Sequence, residues 1–363
     1  VKRVNRETLR NRWIIGMPFI FATVAALFFQ FLPKPLLTPD QVRQLKLGSV
    51  ASGRRPGLAV FGITPTTVCG VRPIATVVPT MSGSRANRDA HTSSPITTTS
   101  GAPASQIVSH GLGETPKLVF LWTGHATGSS WATNFRLGFG ASDGTVERSI
   151  ASGSQDNVGT TNTSRRIADK VLTIVEWGQV TVAEADLTSW NSTSFTINWT
   201  TNDATASVIH YMVLGGSDVS ADVASWTVSG STGNRSITGV GFRPTVVLFI
   251  YAGLLTSSVP GSQQNAACGM GAMDASGDQW ALSGFSEDAV GDSYSKRAQR
   301  TNACIHHETD ISFTASFVSM DSDGYTVNFS SVQSGSQIMA VSLAGMNAKA
   351  GFFNKSTSGA PAS

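Results

Sequence analysis

The sequence contains few charged residues and few cysteines, and both shortages restrict the kind of protein it encodes. Only 13% of the 363 residues are Asp, Glu, Lys or Arg, about half the share in ordinary soluble domains. The three cysteines, Cys69, Cys268 and Cys304, form no C-x-x-C pair, so neither a dense disulfide scaffold nor a zinc ribbon is indicated. We expect buried free thiols, with a Cys268–Cys304 disulfide as the alternative.

The motifs of several common enzyme classes are also missing. No G-x-G-x-x-G turn stands between a strand and a helix, so no nucleotide cofactor is expected. The sequence has no G-x-S-x-G nucleophile motif and no conspicuous pair of carboxylates for glycoside hydrolysis. It therefore favours a protein that is not an enzyme, although a catalytic site assembled from distant residues stays open.

Charge is divided unevenly along the chain. Residues 1–90 contain 13 Lys and Arg against 3 Asp and Glu, whereas the remainder contains 13 against 20. A basic head on an acidic body suggests that the head contacts a membrane or nucleic acid. The apolar run at residues 13–32 is long enough, at about 1.5 Å per residue, to cross a ~30 Å hydrocarbon core. It predicts a membrane segment with a cytoplasmic N-terminus, with a secretory signal as the alternative.

The residues after this apolar run contain a specific motif. Pro35-Leu-Leu-Thr-Pro-Asp-Gln-Val-Arg-Gln-Leu45 is followed by Phe61-Gly-Ile-Thr-Pro-Thr66. Together with the apolar run, residues 15–80 resemble the C-terminal tail of the NAD-binding epimerase/dehydratase family related to an accessory subunit of respiratory complex I. The catalytic Tyr-x-x-x-Lys pair and nucleotide loop of that family belong to an upstream domain that has no counterpart in this sequence. The resemblance therefore implies a remnant of that family without its hydride chemistry.

The strongest pattern in the sequence is an internal duplication at a spacing of about 130 residues. Pro116–Trp122 aligns with Pro244–Ile250, and the order of the following segments is the same in both copies. The heptapeptide Thr357–Ser363 also repeats Thr99–Ser105 residue for residue. Each copy is therefore predicted to be a module of a tandem array.

Each copy is predicted to be β structure. Leu118–Trp122 and Val246–Ile250 are short continuous apolar runs, typical of strands covered on both faces. Phe195–Trp199 and Tyr325–Phe329 alternate apolar and polar residues, typical of half-buried strands. With seven or eight strands expected per copy, the predicted fold class is mainly β, with two tandem antiparallel β-sandwich or jelly-roll domains after an N-terminal apolar helical segment.

These patterns divide the chain into six parts. The expected parts are a basic, apolar helical segment at 1–36, which is the candidate membrane anchor, a small helical or irregular region at 37–81, a flexible linker at 82–105, β-sandwich repeat 1 at 106–226, β-sandwich repeat 2 at 227–350, and a tail or the start of a further repeat at 351–363. The linker is small and polar, so it cannot bury enough apolar surface to offset the loss of chain entropy.

Several short motifs accompany the duplication. They include Gly239-Val-Gly-Phe-Arg-Pro244, and the matching pair Ser154-Gln-Asp-Asn-Val158 and Ser286-Glu-Asp-Ala-Val290. With these motifs, residues 100–350 resemble tandem β-sandwich repeat modules of phage and prophage virion proteins, such as tail, fibre or decoration components. The resemblance implies a structural or adhesive protein of a virion or bacterial cell surface that packs against copies of itself or other virion or surface proteins and binds a surface glycan.

Two other functions stay open at this point. One is a surface or secreted carbohydrate-binding module or glycan-acting enzyme, and the weaker one is a membrane-anchored remnant of the epimerase family. Activity screens distinguish the first from a structural protein, and a nucleotide-binding assay tests the second.

One set of residues has the composition of a zinc site. Cys304, His306 and Glu308 lie at i, i+2 and i+4 of a predicted strand, so their side chains are expected on one face. Thiolate, imidazole and carboxylate all bind zinc. The matching residues of the first copy, about 171–175, are apolar or small, so a packing face is the alternative.

A second set has the composition of a calcium site. Asp156 and Asp288 occupy matching positions of the two copies, in turn-rich segments where loop carboxylates often hold calcium. A purely local role is the alternative, since Asp in a turn commonly accepts hydrogen bonds from its own backbone. Calcium is the one cofactor for which the sequence gives an indication.

Three of the eight tryptophans are candidate ligand contacts. Trp131, Trp177 and Trp280 have no aromatic counterpart in the other copy, whereas Trp122 and Trp199 belong to apolar strand patterns and are expected in a core. An exposed aromatic ring offers a flat apolar face with a polar edge. We therefore predict that the first three contact a sugar.

Overall fold

The computed structural model describes residues 102, 104–128, 130–256 and 258–354, and these residues form antiparallel β-sheets. Within them there are twenty strands and no helix. The strands are β1 (Ala104–Ser109), β2 (Leu118–Thr123), β3 (Phe135–Ser142), β4 (Glu147–Ser154), β5 (Thr163–Ala168), β6 (Leu172–Val175), β7 (Thr181–Trp190), β8 (Ser194–Thr201), β9 (His210–Leu214), β10 (Ser220–Thr227), β11 (Gly233–Thr238), β12 (Val246–Tyr251), β13 (Gly261–Gln264), β14 (Ala266–Asp274), β15 (Gln279–Ser286), β16 (Ser295–Arg300), β17 (Ile305–Glu308), β18 (Ser312–Asp321), β19 (Gly324–Ser331) and β20 (Gln337–Ala344).

The prediction of a mainly β protein is confirmed for this part of the chain. The predicted helical segment at 1–36, including the apolar run at 13–32, and the region at 37–81 lie outside the described residues, as do nearly all of the linker and most of the tail. No helix in the described ranges has the length and apolar character needed to cross a bilayer.

The strands form four sheets, and two of them repeat the other two. Sheet I has the order β1-β8-β7-β6, and sheet II has the order β13-β5-β4-β3-β2-β9. Sheet III has the order β10-β20-β12-β14-β15-β16, and sheet IV has the order β11-β19-β18-β17. Without β10 and β13, sheets III and IV match sheets II and I strand for strand. We call β1–β9 the first module and the nine matching strands of sheets III and IV the second module.

Three apolar clusters lie between these sheets. One cluster, which includes Phe195, fills the space between sheets I and II, and another, which includes Phe313, fills the space between sheets III and IV. A third cluster, which includes Leu118 and Val246, lies between sheets II and III. The layers therefore follow the order I, II, III, IV. Because sheets II and III are covered on both faces, β2 and β12 are continuous apolar runs rather than alternating ones.

The two modules contact each other through equivalent faces. Leu118 of β2 pairs with Leu214 of β9, and the matching pair in the second module is Val246 and Leu343. All four side chains belong to the cluster between sheets II and III. An interface in which both partners use the same patch is the arrangement of a two-fold symmetric dimer, here formed within one chain.

Glycines permit close packing within each module. A Cβ on Gly140 of β3 would meet the carbonyl oxygen of Val171, immediately before β6. A Cβ on Gly271 of β14 would meet the carbonyl oxygen of Cys304, immediately before β17. The two glycines are equivalent in the duplication, so both modules place a backbone against a glycine at the same point.

Strands and loops also cross between the modules. The short strand β13 belongs to the second half of the sequence but pairs with β5 at the edge of sheet II. In the adjacent loops, the amide of Thr161 donates to the carbonyl oxygen of Val290 (2.9 Å), and the amide of Ala289 donates to that of Thr161 (2.8 Å). These contacts join the modules by backbone hydrogen bonds in addition to the apolar cluster.

Candidate binding surface

A concave surface with exposed aromatic rings lies at one end of the first module. The loop between β2 and β3 presents Trp131 with its side chain fully exposed, and Phe135 at the start of β3 is 51% exposed. Asn134, Gln155 and Asp156 line the same depression of about 640 Å³. We call it the tryptophan depression. Its combination of flat apolar rings and polar groups with fixed positions is typical of a site that binds a polar ligand with apolar faces.

The loops that form the tryptophan depression are tied together. Asn134 has a positive φ of 64°, a conformation that Asn tolerates better than most residues, and its side-chain oxygen accepts a hydrogen bond from the amide of Asp156 (2.9 Å). The Gln155 side chain accepts a hydrogen bond from Asn162 (2.9 Å). By contrast, no hydrogen bond to the Asp156 carboxylate occurs among the described residues. This carboxylate is therefore available to accept hydrogen bonds from a ligand.

Arg136 lines the tryptophan depression and is held in place by three contacts. Its guanidinium donates to Oε2 of Glu176 (2.7 Å) and to Nδ1 of His125 (2.7 Å), and it lies over the ring of Trp177, 5.2 Å from the centroid. Because arginine can only donate, Nδ1 of His125 must accept, which places the imidazole proton on Nε2. Arg136 thus connects two loops and a tryptophan beneath the site.

His125 is held in its neutral form within this support. Its Nε2 lies 3.6 Å from Oδ2 of Asp203. Burial lowers the pKa of His125 below its usual value and outweighs the opposing effect of Asp203. We therefore assign His125 a structural role, since a neutral imidazole that accepts from Arg136 is not free to act as a base.

A second depression lies beside the first, at the seam between the modules. This seam depression, of about 350 Å³, is lined by Cys268 and Phe285 of sheet III and by Lys296 of β16. Phe135 and Ser154 line both depressions, so the two are contiguous.

Aromatic contacts fix the position of the cation in the seam depression. Phe285 packs edge-on against Tyr294, with 6.4 Å between the ring centroids. Nζ of Lys296 lies 4.6 Å from the centroid of the Tyr294 ring. This geometry is that of a cation–π contact, and it places a positive charge in the seam depression.

The ionisable groups among the described residues that line the two depressions are one thiol, two cations and one carboxylate. Burial raises the pKa of the Cys268 thiol to about 12, so the thiol is protonated and is a poor nucleophile at neutral pH. Among the described residues that line the two depressions, Asp156 is the only carboxylate. Hydrolysis of a glycoside uses two carboxyl groups on opposite sides of the bond.

The two candidate calcium ligands lie in different surroundings. Asp156 borders the tryptophan depression. Asp288 accepts hydrogen bonds through Oδ1 from the amide of Thr163 (2.5 Å) and from its hydroxyl (3.3 Å), and its own amide donates to Asn265 (2.8 Å). One side chain therefore faces a concave surface, while the other joins β5 of the first module to the second module.

The three candidate zinc ligands are divided between two environments. Cys304 lies in the core of the second module, where its thiol donates to the carbonyl oxygen of Ala315 (3.5 Å). His306 contacts the hydroxyl of Thr314 through Nδ1 (2.9 Å), and its Nε2 lies 3.6 Å from Oε2 of Glu308. No group of three or more His, Cys, Asp and Glu side chains suited to a metal ion is found in the described ranges. His306 and Glu308 face a polar surface of sheet IV that excludes Cys304.

The three candidate tryptophans also lie in different parts of the structure. Trp131 lines the tryptophan depression, and Trp177 is connected to it through Arg136. Trp280 lies on β15, opposite Ala272 of β14, and lines neither depression. The sequence patterns did not reveal Phe135 or Lys296 as site residues, because their significance depends on the contact between two modules more than a hundred positions apart.

Comparison with models of protein families, with curated proteins and with solved structures found no match to this chain.

Proposed function

We propose that the protein is a non-enzymatic structural and adhesive protein, a virion component built of repeated β-sandwich modules, which binds a surface glycan in the tryptophan depression. The observation that carries the adhesive part is the fully exposed ring of Trp131 beside the half-exposed ring of Phe135 and the carboxylate of Asp156, which accepts no hydrogen bond from the described residues. A sugar ring has an apolar face that stacks on an aromatic ring and hydroxyls at its edge that donate to carboxylates and amides.

The structural part of the proposal is supported by the repeated modules. Two equivalent nine-stranded units pack through equivalent faces in one chain, and such units are suited to stacking in arrays. The expected partners are further copies of this chain or other virion or surface proteins. Imaging of the native assembly tests this part, and a symmetric particle or fibre that contains the chain is the expected result. A chain that is monomeric and free of any particle would contradict it.

The second candidate is a surface or secreted carbohydrate-binding module without a virion role. It is favoured by the same tryptophan depression. It differs from the first candidate only in the assembly to which the chain belongs. A glycan-acting enzyme is disfavoured, because the two depressions offer one carboxylate among their described lining residues, whereas glycoside hydrolysis uses a pair.

Glycan-array screening followed by titration of the bound sugar tests the adhesive function. We expect Trp131→Ala to weaken binding by at least about tenfold, since truncating a central aromatic contact typically costs about 2 kcal/mol. Phe353→Ala is the matched control, because Phe353 is 92% exposed but lines neither depression. An array without any bound sugar, or equal weakening by both substitutions, would contradict the proposal.

A further inference from the structure

The concave surface continues across the seam between the two modules. Phe135 and Ser154 line both the tryptophan depression and the seam depression. A ligand that stacks on Trp131 and is longer than one sugar unit therefore meets residues of the second module next. Phe285 and Lys296 are among the residues of the second module that line the seam depression.

The chemistry of the surface changes along this path. The tryptophan depression contains the Asp156 carboxylate and the Asn134 side chain, which suit neutral hydroxyl groups, and Arg136, whose charge is compensated by Glu176 (2.7 Å). The seam depression contains Lys296 and, among its described lining residues, no carboxylate. Other charges on β16 are partly compensated, because Arg300 pairs with Glu308 (3.1 Å). Lys296 lies over the Tyr294 ring with its side chain exposed, and Glu287 and Glu308 act on it through their charge without forming an ion pair with it among the described residues.

We infer that the groove formed by the two depressions binds an acidic oligosaccharide that crosses the module seam, with a sugar ring on Trp131 and a carboxylate or sulfate of a following unit at Lys296. This inference rests on the proposed glycan-binding function and specifies its ligand. Electrostatic complementarity at Lys296 favours a ligand with a negatively charged unit. The contiguous groove favours a ligand long enough to contact both depressions.

A single-stranded nucleic acid also combines flat rings with negative charge. The charge of the body disfavours it, because residues 91–363 contain 20 Asp and Glu against 13 Lys and Arg. A polymer with one phosphate per unit is repelled by such a body more strongly than a glycan with a negative charge on only some of its units.

The test is a titration of the full chain with two matched series of oligosaccharides. One series consists of uronate-containing di-, tetra- and hexasaccharides, and the other consists of the same sugars after reduction of each carboxylate to an alcohol. We expect affinity to rise from the disaccharide to the hexasaccharide in the acidic series. The acidic hexasaccharide should bind about threefold to tenfold more tightly than its reduced partner, since an exposed ion pair contributes modestly.

Two variants assign the effects to the two depressions. Lys296→Gln should remove the preference for the acidic series over the reduced one, whereas Trp131→Ala should weaken the binding of both series. Raising the salt concentration should reduce the preference of the wild-type chain for the acidic sugars. It should leave the ratio of the two affinities of Lys296→Gln unchanged.

The outcomes separate this inference from the function on which it rests. If no sugar of either series binds, the proposed function itself fails. If the reduced sugars bind through Trp131 but neither length nor charge matters, or if Lys296→Gln keeps the acidic preference, only the inference is overturned. An oligonucleotide that binds more tightly than the acidic hexasaccharide and depends on the same two residues would also overturn it.

Discussion

A buried carboxyl and its neutral counterpart occupy the same position in the two modules. Glu147, the first residue of β4, accepts a hydrogen bond through Oε1 from the amide of Leu187 (2.8 Å), at a bulge in β7. Gln279, the first residue of β15, accepts one from the amide of Phe317 (2.7 Å), at the matching bulge in β18. The second carboxyl oxygen of Glu147 is buried and has no hydrogen-bond partner among the described residues. The position therefore requires an acceptor, and its burial opposes a negative charge more strongly than the amide of Leu187 and the charge of Lys170 favour one.

The pKa of Glu147 is raised accordingly, from 4.5 to about 7, chiefly by burial. The carboxyl is ionised in the unfolded chain above its unfolded pKa but stays protonated in the folded chain up to about pH 7. The free energy of unfolding therefore falls as the pH rises through this interval and remains lower above it.

Glu147→Gln should remove this penalty. We expect an unfolding free energy about 1–2 kcal/mol higher than that of the wild type at about pH 8, after allowing for the partial exposure of the side chain, and little change at about pH 4. Gln279→Glu is the matched test, and it should introduce the same penalty in the second module. Thermal unfolding of both variants across this pH range checks the prediction, and curves parallel to the wild type at all pH values would refute it.

The strand elements follow from patterns that the sequence shows directly. Continuous apolar runs identified β2 and β12, and alternation identified β8 and β19, because burial on two faces or one face dictates these patterns. β13 could not be predicted, since Gly261–Gln264 has no apolar period and forms a strand only because β5 of the other module offers it an edge. The number of strands was also underestimated, with nine equivalent strands per module rather than seven or eight.

The candidate site was predictable only in part. Trp131 was identifiable because the duplication gives it no aromatic counterpart and its loop is polar. The contribution of Phe135, Tyr294 and Lys296 could not be predicted from the sequence, because it arises where two sheets of different modules meet. For the zinc candidates, the sequence pattern predicts a shared face that the structure does not have. Cys304 was expected on the same face as His306, but it belongs to the core of the second module.

The close packing of strands at glycine gives a prediction at the scale of elements. Gly140→Ala and Gly271→Ala each add a Cβ that clashes with a backbone carbonyl oxygen of the segment packed against the strand. A backbone carbonyl cannot move aside as a flexible side chain can. We expect each substitution to lower the free energy of unfolding by about 1–3 kcal/mol or more. Gly284→Ala is the control, because Gly284 also lies in a strand, β15, but a Cβ there meets no atom within 4 Å. Urea denaturation that ranks Gly284→Ala with the other two would contradict this account.

At the scale of the whole molecule, a buried ion pair joins the two modules. The guanidinium of Arg165 in β5 donates to Oδ2 of Asp310 in the second module (2.5 Å) and to the carbonyl oxygen of Ala252 (3.1 Å). Burial disfavours the charge on Asp310, but hydrogen bonds from His307, Arg165 and Asn265 outweigh it and hold the pKa well below its usual range. The pair therefore supports the junction above about pH 4 and loses this effect as the pH falls further.

Asp310→Asn should lower the free energy of unfolding more than a substitution that removes an exposed ion pair. We expect a cost of about 3–5 kcal/mol at neutral pH, because Arg165 is left buried and charged without its partner. Asp186→Asn is the control, since the Lys170–Asp186 pair (2.8 Å) is more exposed and should contribute only about 0–1 kcal/mol. Chemical denaturation of both variants measures the difference, and equal costs would show that the modules do not depend on this pair.

The claim that the chain is an adhesive protein can be tested within one spectrum. Each of the eight tryptophans has an indole N–H whose NMR resonance reports its surroundings. On addition of the sugar found by array screening, the resonance of Trp131 should shift most, Trp177 should shift slightly through Arg136, and the buried Trp199 and Trp226 should not respond. A titration in which the Trp131 resonance stays fixed while the sugar binds would contradict the account directly.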